Sequence, residues 1–423
     1  MSTPFELDDD QRKVLANRLA SVDVGGVQGP PGTGKSLVMA YEALRAIDQG
    51  HRPIVVGAVG NKTVDTVVRY AWFLHLQYGG TDDSFRELAC RVGYTPAISD
   101  DILRIHSNNG RRIARAGLVF TTLYSSWNIG PASLSAERLI LDETAQARPE
   151  QLFAVMEHTV TNRPGRIPIT IVGDDMQARP ITPNGIESGI LSRLRRSRPE
   201  AVSMLQTSYR LPEPNVDMTS SVFYDGNLDS PPEVRNRRLE LHHLPTGVLR
   251  QVIDPDEPLT FADVRGGEIL GLTYSNTVQV QVTREIVDTL RHCGIDTTHP
   301  SRLLVLAPQK GQVIETQRAL SADSLAGENV TTVARSLGLE ADVVIFQTVR
   351  SNRRGYLGMT GVREVLNVAT SRCRRKLIIV GDWSTFADGK GYSEGVGLYA
   401  SRSRKMADFI QSHGSLVEVP VPA

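Results

Sequence analysis

With 423 residues, 40% of them hydrophobic, the chain is long enough for about two to three domains with sizeable cores. Its 47 basic and 47 acidic residues cancel, which excludes a global field drawing the protein to nucleic acid or an anionic membrane; any grip on a polyanion must be local. The scattered cysteines Cys90, Cys293 and Cys373 have neither CxxC pairing nor metal-ligand spacing, and no stretch approaches the roughly 18 apolar residues of a membrane span, so a cytoplasmic protein with free thiols and no membrane contact is expected.

The opening stretch MSTPFELDDDQRK lacks the apolar core of a secretion signal. The first string with chemical meaning is Gly29 to Ser36, GPPGTGKS, which has the pattern of a phosphate loop. Gly29, Gly32 and Gly34 let the backbone curl around Pro30, Pro31 and Thr33 with its amide hydrogens turned inward. Lys35 can then reach the outer phosphates, and Ser36 offers its hydroxyl to magnesium. A helix predicted to begin near Ser36 adds the attraction of its dipole for negative charge.

Short apolar, β-branched runs then alternate with helical segments, at Ile54 to Ala58, Leu118 to Thr122, Leu139 to Leu141 and Ile169 to Val172, and again at Leu303 to Leu306, Val343 to Phe346 and Leu377 to Val380. Such runs suit strands buried on both faces, so the alternation predicts an α/β fold built on parallel sheets. Several end in small, polar or acidic residues (Thr121-Thr122, Asp142-Glu143, Gly173-Asp174), which puts the chemistry where an open parallel sheet exposes its strand ends. The basic stretch Arg193 to Arg198, closed by Pro199, separates the two sets, and domains are expected at 1–200 and 201–423. Residues 72–115 and 226–265 read as insertions, the second rich in Pro, Asp and Arg and irregular, and 419–423 read as a tail.

The run Leu139 to Leu141 delivers Asp142 and Glu143 side by side. Near a phosphate loop two adjacent carboxylates divide the work: Asp142 holds magnesium, and Glu143 orients and deprotonates the attacking water. With Lys35 they form both halves of a nucleotide-hydrolysing site.

Further strings follow in order along nearly the whole chain. They are LDDDQ (Leu7 to Gln11), GPPGTGKS, VVGAVGNKTVD (Val55 to Asp65), Val119 to Thr122, LILDETAQA (Leu139 to Ala147) and IVGDDMQARPI (Ile171 to Ile181). LQTSYRLPEPN (Leu205 to Asn215), Phe223 to Gly226, VARSLGLEADVVIFQTVRS and LNVATSRCR (Leu366 to Arg374) complete the series. This order resembles the superfamily 1 helicases, in the branch that includes the RNA helicase of nonsense-mediated decay. LDDDQ is similar to the adenine-reading glutamine motif, with Asp8 where Asn is usual, and the other strings resemble motifs I to VI.

The resemblance implies two tandem RecA-like domains, each a mostly parallel sheet flanked by helices. It implies ATP-dependent translocation on single-stranded DNA or RNA and duplex unwinding, 5′ to 3′, with ATP and Mg2+ as cofactors and a monomer as the working form. In that family Gln11 reads the adenine edge, Tyr209 stacks on the base and Glu340 accepts from the ribose hydroxyls. Gln177 couples the attacking water to movement, and Arg210 and Arg372 act as arginine fingers on nucleotide held in the cleft between domains. Strand contacts fall to Asn61, Thr121, Thr122 and Lys310, whose groups suit phosphate oxygens. Departures at Val59-Gly60, where Pro-Ser is usual, and at Leu337, where Gln is common, fall in motifs Ia and V. With the chain starting almost at the adenine motif, no accessory β-barrel is expected ahead of it. These departures keep open a second reading, a nucleotide-dependent clamp that recruits partners without unwinding.

Overall fold

Aliphatic and β-branched runs with no interior charge can bury both faces, and most of the strands that form the two sheets are such runs. The computed structural model describes residues 5–21, 23–129, 134–160, 166–177, 181–182, 185–186, 189–271, 273–320, 329–389 and 400–420. Residues 178–180 of the motif III string and 421–423 of the expected tail lie outside the described residues. The chain divides into two units, Met1–Gln206 and Thr207–Ala423.

In the first unit the strands are β1 (Val24–Gln28), β2 (Ile54–Ala58), β3 (Ala89–Val92), β4 (Leu118–Thr122), β5 (Arg138–Leu141) and β6 (Ile169–Gly173). After the small hairpin β7 (Ile181–Thr182) and β8 (Gly185–Ile186) comes β9 (Val202–Met204). They form one seven-stranded sheet in the order β3-β4-β2-β5-β6-β1-β9, parallel throughout, with the hairpin apart. Period-2 alternation divides the core. Ile54, Val56, Leu118, Phe120 and Ile140 pack with apolar residues of helices α1 (Asp9–Ala20), α2 (Lys35–Asp48) and α3 (Asn61–Gln77). Val55, Val119, Leu139, Leu141 and Ile171 face the other way, against Leu152, Val155 and Leu191. Each fully buried side chain of this kind contributes about 1.5–3 kcal/mol.

The second unit holds β10 (Leu259–Asp263), the antiparallel hairpin β11 (Glu268–Leu270) and β12 (Tyr274–Asn276), then β13 (Leu303–Ala307), β14 (Val330–Thr332), β15 (Ala341–Gln347), β16 (Cys373–Gly381) and β17 (Ser415–Glu418). Its six-stranded sheet runs β14-β13-β15-β16-β10-β17, again parallel. Leu303, Val305, Val343, Ile345, Ile378 and Val380 share a core with Val282, Ile286 and Leu290 of the helix Thr277–His292. Two parallel sheets flanked by helices are the two RecA-like domains that the motif order implies.

Three segments differ from the expected outline. The 72–115 stretch finishes α3 and then supplies β3, an edge strand paired with β4. β9 lies past Pro199 and pairs with β1, so the first sheet closes beyond residue 200. The 226–265 stretch, expected to be irregular, contains β10, which lies between β16 and β17. All three cysteines are free and buried, and among the described residues no helix is long and apolar enough to cross a membrane.

Strand order is what builds the site. β1, β6, β5 and β2 are consecutive neighbours, so the loops that follow them leave the same sheet edge side by side.

Candidate functional site

Directly after β1 the chain turns into the phosphate loop, anchored by Gly29 N–H to the Gly173 carbonyl at 2.8 Å. Gly32 and Gly34 have φ of +74° and +75°, the left-handed region where a side chain is strained. Gly34 also immediately precedes α2, and a Cβ there would stand 2.6 Å from Gln11 Nε2. Thr33 Oγ1 donates to the Pro30 carbonyl at 2.9 Å, and the Lys35 ammonium folds onto the carbonyls of Gly29 at 2.5 Å and Pro30 at 3.3 Å.

Gln11 is buried and braces this loop, donating from Nε2 to the Thr33 carbonyl at 3.0 Å. Its Oε1 accepts from the Asp8 N–H at 3.2 Å while Asp8 Oδ1 accepts from the Gln11 N–H at 2.7 Å, a reciprocal cap on α1. Asp8, in the place of the usual Asn, is therefore the cap that aims the glutamine.

The two carboxylates leave β5 next to β2, where Asp142 N–H donates to the Gly57 carbonyl at 2.7 Å. Asp142 is buried, and its Oδ1 accepts the Glu143 N–H at 2.7 Å. Burial pushes its carboxyl above the ordinary range, against the pull of the Lys35 ammonium and the Glu143 N–H. The buried carboxylate of Asp142 and the half-buried hydroxyl of Ser36 are both oxygen donors, the kind of ligand that suits a hard cation such as Mg2+.

Glu143 sits at φ +55°, a backbone that costs a non-glycine residue about 1–3 kcal/mol and persists only where its surroundings hold it. The hold comes from α3: Thr63 Oγ1 donates to Oε1 at 2.8 Å and the Gly60 N–H to Oε2 at 3.0 Å. Burial and then the neighbouring Asp142 charge raise the Glu143 carboxyl above its usual range, while Thr63, Gly60 and Lys35 oppose them.

Gln177 leaves the loop after β6 and donates to Asp174 Oδ2 at 2.6 Å. The other oxygen of Asp174 accepts from Gln28 Nε2, at the end of β1, at 2.6 Å and from the Met176 N–H at 3.1 Å. Asp174 thus ties the β1 and β6 loops together and orients the glutamine.

In the second unit Arg210, Glu340 and Arg372 come together. Arg210 donates from Nε to Glu340 Oε2 at 2.8 Å and from Nη1 to the Ser371 carbonyl at 3.0 Å. Arg372 is buried and donates from Nε to the Val368 carbonyl at 3.0 Å. Tyr209 is 39% exposed.

Of the strand-contact candidates, Lys310 is exposed at the start of the helix Lys310–Leu320, and Asn61 begins α3 with its Oδ1 accepting from buried Arg91 at 2.7 Å. Thr121 and Thr122 are buried. Thr121 Oγ1 bonds the Thr122 carbonyl at 3.1 Å, and Thr122 Oγ1 accepts the Ser125 N–H at 3.0 Å, so both hydroxyls shape the loop after β4. Arg112 bonds the carbonyls of Arg86, Glu87 and Ala89 at the end of the helix Asp82–Leu88.

Sequence reasoning did not find the Gly60 and Thr63 clasp on Glu143 or the Gln28 contact to Asp174. No local pattern marks them. The usable signal was topological, since neighbouring β2 and β5 bring their following loops together.

Two family models, each described as an AAA domain, match the chain, one over residues 6–230 and one over residues 186–384. Among known proteins it is 25% identical to DNA-binding protein SMUBP-2 of Mesocricetus auratus over 90% of this chain and 43% of that one. It is 24% identical to regulator of nonsense transcripts 1 of Caenorhabditis elegans, over 89% of this chain and 38% of that one. The DNA polymerase alpha-associated DNA helicase A of Saccharomyces cerevisiae is 24% identical, over 88% of this chain and 65% of its own length. The chain therefore spans less than two thirds of each of these curated relatives.

Proposed function

We propose, because the chain belongs to the AAA-domain family and within it to the superfamily 1 helicases of the regulator of nonsense transcripts 1 branch, that it converts ATP hydrolysis into movement along single-stranded DNA or RNA. Unwinding of duplexes, 5′ to 3′ polarity, a monomeric working form and a cytoplasmic setting are parts of the same proposal. The observation that carries it is the convergence on one sheet edge of the phosphate loop, the Asp142-Glu143 pair and the Asp174-Gln177 clamp.

Each residue has a task its chemistry allows. Gln11 and Tyr209 contact adenine, and Glu340 accepts from the ribose. Lys35 leaves its loop carbonyls for the outer phosphates, and the loop amides fix their geometry. Ser36 and Asp142 hold Mg2+, which supplies charge neutralisation at the phosphates. Glu143 accepts the proton of the attacking water while Gln177 orients it. Arg210 and Arg372 stabilise charge on the transferred phosphoryl group. Asn61 and Lys310 contact strand phosphates directly, and Thr121 and Thr122 hold the adjoining loop.

The test is ATP turnover with and without single-stranded DNA and RNA at fixed salt. Stimulation by either is expected, and a rate indifferent to both sinks the motor. A strand-displacement assay then separates unwinding from the clamp reading.

A further inference from the structure

We propose that the Thr63 hydroxyl and the Gly60 N–H hold Glu143 in a parked pose, which makes the first turn of α3 the element that meters hydrolysis to strand engagement. The inference rests on the proposed role of Glu143 as the water-activating base. It adds Thr63 as a positioning residue for that base.

Each oxygen of the Glu143 carboxylate accepts a hydrogen bond from the start of α3. Oε1 accepts from Thr63 Oγ1 at 2.8 Å and Oε2 from the Gly60 N–H at 3.0 Å. Donors approaching from one side fix the direction of a planar carboxylate, and here the direction is toward α3. The φ of +55° turns the residue out of the line of β5 and toward the loop after β2, where those donors wait. Of the roughly four lone-pair sites of a carboxylate, one on each oxygen is occupied here, so a water can still be accepted, but only along the direction that the clasp fixes.

The holding groups belong to a turn with a reason to move. Gly60 precedes α3 directly, Asn61 is its first residue, and Lys62 beside them is exposed. The turn is fastened from behind by Arg91, which donates to Asn61 Oδ1 at 2.7 Å and to Asp65 Oδ1 at 2.9 Å. A phosphate oxygen bound by Asn61 or Lys62 pulls on the same turn that carries Gly60 and Thr63. Hydrogen bonds of this length lose their geometry when the donor moves by about 0.5 Å. Strand binding would thereby loosen the clasp and release Glu143 to the water.

The experiment measures kcat and KM for ATP in the wild type and in Thr63→Ala, Thr63→Val and Thr63→Ser, each with and without a poly-dT oligonucleotide. Thr63→Val keeps the shape and removes only the donor, which covers a packing defect in the alanine variant. Loss of the hydroxyl should raise strand-free kcat by about tenfold to a hundredfold, the usual weight of a hydrogen bond to a charged group. KM and the strand-saturated kcat should stay near wild type, and Thr63→Ser should restore the wild-type ratio. Strand-free kcat at or below wild type in both alanine and valine variants overturns the parked pose. The two readings fail separately: wild type unmoved by any strand defeats the motor, while the strand-free rates of the variants still decide the clasp.

Discussion

Arg210 and Glu340 are each other's partners: the guanidinium Nε stands 2.8 Å from the carboxylate Oε2. Arg374 reaches the other oxygen at 3.5 Å. Burial pushes the Glu340 carboxyl up, but Arg210, Arg374 and Arg372 together outweigh it and hold it below its ordinary value. On the proposed roles, the finger and the ribose acceptor are thus stored against one another. Under the proposed function, nucleotide must exchange this pair for two new contacts, one to a phosphoryl oxygen and one to a hydroxyl.

That exchange sets unequal costs for the two side chains. Arg210→Ala removes transition-state charge and should lower kcat by about a thousandfold or more. Glu340→Gln keeps an acceptor for the ribose and frees Arg210, so its loss should stay within about tenfold. Steady-state ATP turnover of the two variants checks the ranking. Equal losses would mean the two residues act as a structural pair.

Lys35→Ala and Glu143→Gln should both abolish turnover, but at different steps. Without Lys35 the outer phosphates lose their ammonium, and ATP binding itself should weaken. Glu143→Gln keeps the size and loses the base, which costs about 10²- to 10⁴-fold in rate while ATP still binds. Equilibrium binding of a fluorescent ATP analogue beside turnover distinguishes the two. Failure of the glutamine variant to bind would place Glu143 in ground-state binding.

How much of this was legible depended on whether the signal was local. Ile54–Ala58 and Leu118–Thr122 coincide with their apolar runs because nothing in them conflicts with a buried strand. β3, Ala89–Val92, hid behind Arg91, a fully buried charge whose partner Asp65 lies 26 residues away. β10, Leu259–Asp263, was masked by the Pro- and Asp-rich segment leading into it. The phosphate loop and the Asp142-Glu143 pair announce themselves because their chemistry needs fixed neighbours in sequence. The Thr63 contact to Glu143 spans 80 residues, and only strand order creates it.

The same long-range character makes the Arg91 and Asp65 pair a test of stability. Asp65 Oδ1 accepts from Arg91 at 2.9 Å, a contact out of water, and its Oδ2 accepts from the half-buried Ser99, from its N–H at 3.0 Å and its hydroxyl at 2.9 Å. Asp65→Ala strands a buried guanidinium, so a loss of about 3–5 kcal/mol is expected. Urea denaturation should show the midpoint falling with little change in slope. A shift under about 1 kcal/mol would mean that water reaches Arg91 and the pair is less enclosed than its burial indicates.

Lys376 supplies a pH signature of the second unit. It is fully buried, with Nζ donating to the carbonyls of Asp254 at 2.9 Å and Glu257 at 2.5 Å and to Thr260 Oγ1 at 3.1 Å. Burial drops its ammonium from the ordinary 10.5 to about 7, against the pull of the Asp254 and Glu257 charges. Between these two values the unfolded chain keeps a proton that the folded chain has released, so stability rises with pH, by at most about 1.4 kcal/mol per pH unit. Below the folded value both states hold the proton, and the dependence flattens. Urea midpoints from pH 6 to 9 should therefore climb above neutrality in the wild type and climb less in Lys376→Met. Parallel profiles for the two proteins would mean that the three acceptors keep the lysine charged in the folded state.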